Sequence, residues 1–173
     1  MSSSLTAPAA TVDDPPPINR VARALNRITS PGSAPRPILN AHRWLYERSD
    51  GRIGHGLIGA PTLLLKTTGR RSGKPRTSAL VYARDGKNIV LVASNEGSNR
   101  PPAWLHNVRA HPDVEVQIGR RRLRGHAAAI DAANPDYARL WTLMNSTNHR
   151  RYDHYQSQTS RPIALVMIMP DHN

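Results

Sequence analysis

The hydrophobic pattern of this chain changes near Pro61. From there on, "PTLLLKTTG", "RTSALVYARDG" and "KNIVLVASN" are short apolar runs divided by turn residues, and Asp85-Gly86 is a strong hairpin signal. They predict three consecutive antiparallel strands, with "RRSGKP" as the first turn. "RPPAWLHNVRAHP" predicts a helix: prolines stand at its start, Trp104, Val108 and His111 fall on one side, and Pro112 stops it. "DVEVQI" sets Val114, Val116 and Ile118 against Asp113, Glu115 and Gln117, the alternation of a half-buried strand, and "RRLRGHAAAI" is its partner after a turn at Gly119. "NPDYARLWTLMN" returns to helical spacing, with Asn134 as N-cap and Pro135 as first helical residue. "RPIALVMIMP" is apolar enough for a strand in the middle of a sheet or barrel.

Ahead of Pro61 the pattern differs. Residues 1–17, rich in Ser, Ala and Pro, have too little apolar surface to offset the entropy of ordering and predict a disordered tail. "INRVARALNRI" places Ile18, Val21, Leu25 and Ile28 on one face with Arg20, Arg23 and Arg27 between them, a short basic amphipathic helix. Packing on the domain or on a partner subunit is its ordinary use, and peripheral membrane contact through residues 18–28 stays open. "SPGSAPRP" links it to a second helix over "ILNAHRWLYERSDG". The domain layout is thus a tail over 1–17, a helix and linker over 18–35, and one folded domain over 36–173. Three strands without intervening helices exclude a doubly wound sheet, and the order points to an α+β protein on a small barrel of mainly antiparallel strands.

Composition narrows the chemistry. Lys and Arg number 24 against 12 Asp and Glu, for a net charge of +12. Nucleic acid, an anionic membrane surface or a phosphate- and carboxylate-rich small ligand would each suit that charge. Phe is absent and aromatic content is 5%, so the interleaving of aromatics with cations found in single-strand nucleic-acid binders is missing. There is no Cys, which excludes disulfide and thiolate chemistry and fits a cytoplasmic setting. No apolar run reaches the length that spans a bilayer, and the start lacks a secretory-signal pattern.

Several motifs fail on context. "GHGLIG" at 54–59 matches a dinucleotide fingerprint by letter, but it precedes a strand instead of opening a helix. "GRRSGKP" at 69–75 has too few residues between its glycines for a P-loop, and Pro75 stands where a magnesium-binding hydroxyl is needed. His106 and His111, like His149 and His154, are spaced too widely for two metal ligands on one helical turn, so no metal site is expected.

The basic turn remains. Arg70, Arg71, Lys74 and Arg76 surround a tight connection in which Gly69 and Gly73 are expected to expose backbone N–H groups, and guanidinium forks bind phosphate at two points. A second segment, Ser94-Asn95-Glu96-Gly97-Ser98, follows the third strand and leads to Trp104 and Asn107 near a helix N-terminus. Three antiparallel strands put both segments at the same end, where they would grip one elongated anionic ligand.

"LLLKTTGRRSGKPRTSALVYARDGKNIVLVASNEG" followed by "PPAWLHNVRAHPDVEVQIG" resembles the deazaflavin-dependent nitroreductase family of actinobacteria, split β-barrel oxidoreductases that use coenzyme F-420. The likeness spans about Ile38 to Pro170. F-420 carries a phosphodiester and an oligoglutamate tail, so the resemblance implies that Arg70, Arg71 and Arg76 bind its phosphate. It implies further that Ala79, Val81, Ser94, Asn95, Ala103, Trp104 and Asn107 line the deazaflavin ring and ribityl chain. "HRRYDHYQS" stands where the family has tyrosines over its substrate pocket, which implies substrate contact for His149, Tyr152 and Tyr155 and catalytic roles for Tyr152, Tyr155 and Ser94. Some members have Tyr, Lys, Met and Trp where this chain has His149, Asn95, Ala103 and Gln158. The pocket therefore has less aromatic surface, which bears on the substrate range more than on the cofactor.

The implied reaction is hydride transfer from reduced deazaflavin to a quinone, an enone or a nitroaromatic acceptor. A non-catalytic deazaflavin or lipid carrier on the same barrel, an FMN- or haem-binding split barrel, and a nucleic-acid-binding protein remain as alternatives from other classes.

Overall fold

The computed structural model describes residues 60–171. Six strands, β1 (Thr62–Thr68), β2 (Pro75–Asp85), β3 (Asn88–Val92), β4 (Asp113–Ile118), β5 (Arg121–Ile130) and β6 (Leu165–Pro170), close into a barrel in the order β1-β2-β3-β6-β5-β4. Every neighbouring pair is antiparallel, including the closing pair of β1 with β4, where Leu64 faces Gln117 and Lys66 faces Glu115. Three helices complete the described domain: α1 (Ala103–Ala110), α2 (Tyr137–Thr147) and α3 (Arg151–Ser157). The expected α+β class and barrel hold.

Alternation along the strands builds two cores. Leu63, Leu65, Tyr82, Ile89, Leu91, Val116, Val166 and Ile168 point into the barrel, where Trp104, Leu105 and Val108 of α1 join them. The opposite face of β3 and β6 supplies Val90, Val92 and Leu165 to a second core with Leu140 and Met144 of α2 and Tyr152 of α3. β3 is thus buried on both faces, which explains its unbroken apolar run. Leu140, wholly buried, is worth about 2–5 kcal/mol against truncation to Ala.

The antiparallel order sorts the connections by end. β1 runs into the turn at 69–74, β3 ends at Val92, and Ile130 at the end of β5 pairs with Leu165 at the start of β6. The basic turn, the 93–102 segment and the connections that carry the helices therefore leave from one end, while α2 packs back along β2, β3 and β6 so that its Arg139 reaches Asp85. The tight turns at Gly86 and Gly119, both left-handed, close the other.

Several boundaries differ from those the pattern suggested. α2 begins at Tyr137 with Asp136 as N-cap, because Asn134 organises a preceding turn: its Oδ1 accepts the Asp136 N–H at 2.9 Å and its carbonyl accepts the Tyr137 N–H at 3.0 Å. On α1, Leu105 takes the buried place expected of His111, which is the exposed C-cap. α3 was not foreseen as a helix. The tail over 1–17 and the helices over 18–28 and 38–51 lie outside the described residues. Among the described residues no helix is long and apolar enough to cross a membrane, and no group of three or more potential metal ligands occurs.

Candidate active site

The β1–β2 connection is held from within. Gly69 N–H donates to the Lys74 carbonyl and Gly73 N–H to the Gly69 carbonyl, each at 2.8 Å, while Lys74 N–H reaches Ser72 Oγ at 3.3 Å. The backbone N–H groups of both glycines are therefore committed, and the expectation that they face a ligand is corrected. At Gly69 a Cβ would stand 3.1 Å from the Lys74 carbonyl, closer than an ordinary contact, and Gly73 is favoured by its φ of +63°. What the turn offers outward is side chains: Arg70, Arg71, Lys74 and Arg76 are all exposed.

A cleft of about 530 Å³ opens between this turn and α1, lined by Gly69, Arg70, Arg71, Ser72, Arg76, Thr77, Ser78, Ala103, Trp104, His106 and Asn107. Among the described residues no carboxylate lines it. Arg70, Arg71 and Arg76 make no ion pair among the described residues, whereas Lys66, Arg109 and Arg139 do. Six of the residues named from sequence, Arg70, Arg71, Arg76, Ala103, Trp104 and Asn107, thus come together around one cavity.

Asn107 does so in a way its sequence position did not reveal. It is 8% exposed, its Oδ1 accepts the Arg70 N–H at 3.1 Å, and its Nδ2 donates to Thr67 Oγ1 at 3.1 Å. The amide fastens the basic turn to α1 and sets where the arginines start. His106 was missed because an isolated histidine on a helix carries no signal. Burial and then the neighbouring cations of Arg70 and Arg109 hold its pKa below the ordinary imidazole value.

Ala79, Val81, Ser94 and Asn95 do not line this cleft. Ala79 and Val81 are half-buried on β2. Ser94 is buried at the end of β3, and Asn95 is exposed with its Nδ2 donating to the Arg100 carbonyl at 2.8 Å. Ser94 and Asn95 belong to the barrel end of the basic turn, where the one-turn 3-10 helix Asn95–Gly97 packs against α3, whereas Ala79 and Val81 pair with Leu64 and Thr62 farther down the barrel.

The aromatic residues form a chain of rings. Tyr137 stacks on Trp141 at 5.7 Å between centroids, and Trp141 to Tyr152 and Tyr152 to Tyr155 each span 6.3 Å. Tyr152 is 6% exposed in the second core, its hydroxyl bonded to the Asn148 side chain; burial pushes its pKa well above the ordinary phenol value. Tyr155 keeps open surface, and its pKa is raised chiefly by burial. The structure therefore sets the two tyrosines apart: Tyr152 is wedged among core side chains, and Tyr155 stands beyond it toward the 3-10 turn. His149 is exposed at the corner between α2 and α3, with a left-handed φ of 58°.

The fold is a closed antiparallel barrel with an arginine-lined cleft beside α1, in whose wall no carboxylate occurs among the described residues. The chain belongs to the F-420H(2)-dependent quinone reductase family, whose model matches residues 38–170. It is thereby an oxidoreductase that depends on reduced coenzyme F-420 and reduces quinones. It is 48% identical over 132 residues to the F-420H(2)-dependent quinone reductase Rv1261c of Mycobacterium tuberculosis, which covers 76% of this chain and 89% of that protein. A solved F-420-H2 dependent reductase, FDR-A, is 31% identical with a TM-score of 0.55, over 62% of this chain and 93% of its own. The haem storage protein HutZ of Vibrio cholerae, 12% identical with a TM-score of 0.53 over 80% and 91% of the two chains, shares the fold alone.

Proposed function

We propose that the cleft beside α1 holds the phosphodiester and oligoglutamate end of F-420, gripped by Arg70, Arg71 and Arg76, and that the ring extends toward Trp104 and the segment from Ser94. The observation that carries this reading is the set of three exposed arginines around a cavity with no carboxylate in its wall among the described residues. Guanidinium forks match phosphate and carboxylate oxygens at two points, and unpaired cations need no internal partner displaced before they bind. The residues present thus fit the acidic end of the cofactor.

Bound reduced F-420 supplies a hydride from its C5 position. The chain's part is orientation and shielding. Asn107 fixes the origin of the basic turn, Trp104 closes the floor with a flat apolar side chain that is 7% exposed, and α3 roofs the 93–98 segment. Of the two tyrosines, Tyr155 suits hydrogen bonding to the acceptor oxygen, since it has exposed surface and burial, by raising its pKa, holds the phenol as an O–H donor instead of a ready proton source. Tyr152 supports it by ring contact. Quinones lead as acceptors, with enones and nitroaromatics following wherever a reducible carbon or nitro group reaches the same place.

The test is a titration of the purified full chain into oxidised F-420 followed by fluorescence anisotropy, with FMN in parallel. Binding of F-420 with no comparable affinity for FMN is expected. Arg76→Ala should weaken it about ten-fold or more while changing stability by less than about 0.5 kcal/mol, because a rim cation is not core. Tyr155→Phe should slow quinone turnover with F-420 affinity kept. Preference for FMN, or equal loss of binding and stability in Arg76→Ala, contradicts the assignment.

A further inference from the structure

Between β3 and α1 the backbone does something costly. Asn95, Glu96 and Gly97 have φ values of 47°, 55° and 78°, three successive left-handed residues of which two are not glycine. Such conformations persist only where the surroundings over-determine them. Internal bonds supply part of the constraint: Gly97 N–H donates to the Ser94 carbonyl at 3.1 Å and Ser98 N–H to the Asn95 carbonyl at 3.0 Å.

The rest comes from Arg161, in the connection from α3 to β6. Its Nε donates to the Ser98 carbonyl at 3.1 Å, and its Nη2 to the Ser94 carbonyl at 2.8 Å and the Ala93 carbonyl at 3.3 Å. One guanidinium thus grips the chain immediately before and immediately after the left-handed triplet. Arg161 is half-buried and pairs with no carboxylate among the described residues. Burial lowers its pKa, a sign that the site bears a desolvation cost. An arginine placed only for surface charge would not be aimed at three main-chain carbonyls. It is itself held on both sides, its N–H donating to Thr159 Oγ1 at 3.2 Å and its carbonyl accepting from Gln156 Nε2 at 3.0 Å. Thr159 Oγ1 in turn donates to Asn99 Oδ1 at 2.8 Å. Across the loop Gly97 abuts α3, since a Cβ there would stand 2.8 Å from the Tyr155 carbonyl.

We infer that Arg161 is a positioning residue for the reaction. Its fork fixes the left-handed loop that carries Ser94 and fixes that loop against the helix that carries Tyr155, so that ring-side and acceptor-side groups keep one spacing. The inference rests on the functional reading above, yet its structural half stands apart from it. Lysine has the charge but not the fork, and reaches fewer of the three carbonyls.

Arg161→Ala and Arg161→Lys are compared with wild type in the full chain by three measurements: amide hydrogen exchange, F-420 affinity, and quinone turnover. In Arg161→Ala, exchange at Gly97 and Ser98 is expected to speed at least about ten-fold while β3 and β6 keep their protection. F-420 affinity should change by less than about three-fold, because the arginine cleft carries it, while kcat falls about ten-fold or more. Arg161→Lys should lie between, and guanidinium added at millimolar level should restore part of the alanine variant's turnover. Should Arg161→Ala not fold, Arg161→Lys and Gly97→Ala probe the same loop from its two sides, with the same local exchange and loss of kcat expected. Uniform loss of protection across the barrel, or unchanged kcat in a folded variant, overturns the proposal. Failure of wild type to bind F-420 would instead sink the functional reading, and the exchange pattern alone would then decide whether Arg161 holds the left-handed loop.

Discussion

His106 illustrates how one side chain takes its chemistry from its neighbours. It lines the arginine cleft, and burial together with the Arg70 and Arg109 cations favours the neutral ring. In the free protein it therefore protonates only below the ordinary value of 6.5. A polyanion in the cleft reverses the local field and favours the imidazolium, so binding takes up a proton and the pKa of the bound state rises. Affinity for F-420 should then increase as the pH falls through and below the ordinary histidine range, where phosphodiester and carboxylates stay ionised. The same shift makes the unliganded fold slightly less stable over that range, because the unfolded chain binds the proton more readily. Anisotropy titrations at a series of pH values test the first claim, with His106→Gln expected to flatten the profile; an equally steep profile in that variant would assign the effect elsewhere. At this scale the sequence showed which residues carry charge but not how they are bound. Arg70, Arg71 and Arg76 were legible because a run of cations in a turn is unusual. The anchoring of that turn by Asn107 was not, because a hydrogen bond across 37 residues leaves no local pattern.

At the scale of elements, periodicity found every strand of the described domain and two of its three helices. Apolar alternation is a direct image of burial, and Gly and Pro mark where it stops. α3 escaped because nothing local makes it. Arg151–Ser157 is seven residues long, mostly polar, and entered through two left-handed residues, His149 and Arg150. A helix this short does not persist by propensity. It is held by Asp153, which accepts from Trp141 Nε1 and from Asn145 Nδ2, each at 2.8 Å, and pairs with Arg150 at 2.6 Å. Asp153→Ala should leave the indole and the buried amide of Asn145 without their partner, at a cost of about 1–3 kcal/mol. Urea unfolding should show that loss, and exchange should quicken across α3 more than in β3. Unchanged stability would mean that core contacts of Tyr152 suffice to seat the helix. The late start of α2 has a related cause: Asn134 has the right chemistry for a cap, but it caps a turn two residues earlier.

On the scale of the whole molecule the barrel separates two ends, and the antiparallel order alone decides which loops meet. That meeting was legible in outline, since three strands in series return the 69–74 and 93–98 segments to one end whatever their side chains do. The absence of carboxylates from the cleft wall among the described residues emerges only from the closed barrel, because the acidic side chains are placed by pairs such as those with Lys66, Arg109 and Arg139. Glu115, Asp131 and Asp85 are all drawn into pairs away from the cleft. The net charge of +12 is thus spent unevenly, and an unneutralised share faces one cavity. Exposed charges separated by more than about 10 Å are screened at about 0.1 M salt, and those in a cleft somewhat less. F-420 binding through exposed guanidinium groups should therefore weaken on the order of ten-fold between about 0.05 and 0.5 M salt. The paired substitution Arg70→Gln with Arg71→Gln should lower the affinity and reduce the slope together. Because both side chains are exposed, and the Arg70 bond to Asn107 runs through a backbone N–H that glutamine keeps, the melting temperature serves as a check that the fold persists. A slope that stays the same in the paired variant would assign the salt response to the diffuse field of the chain, and would leave Arg76 as the side chain that carries the phosphate.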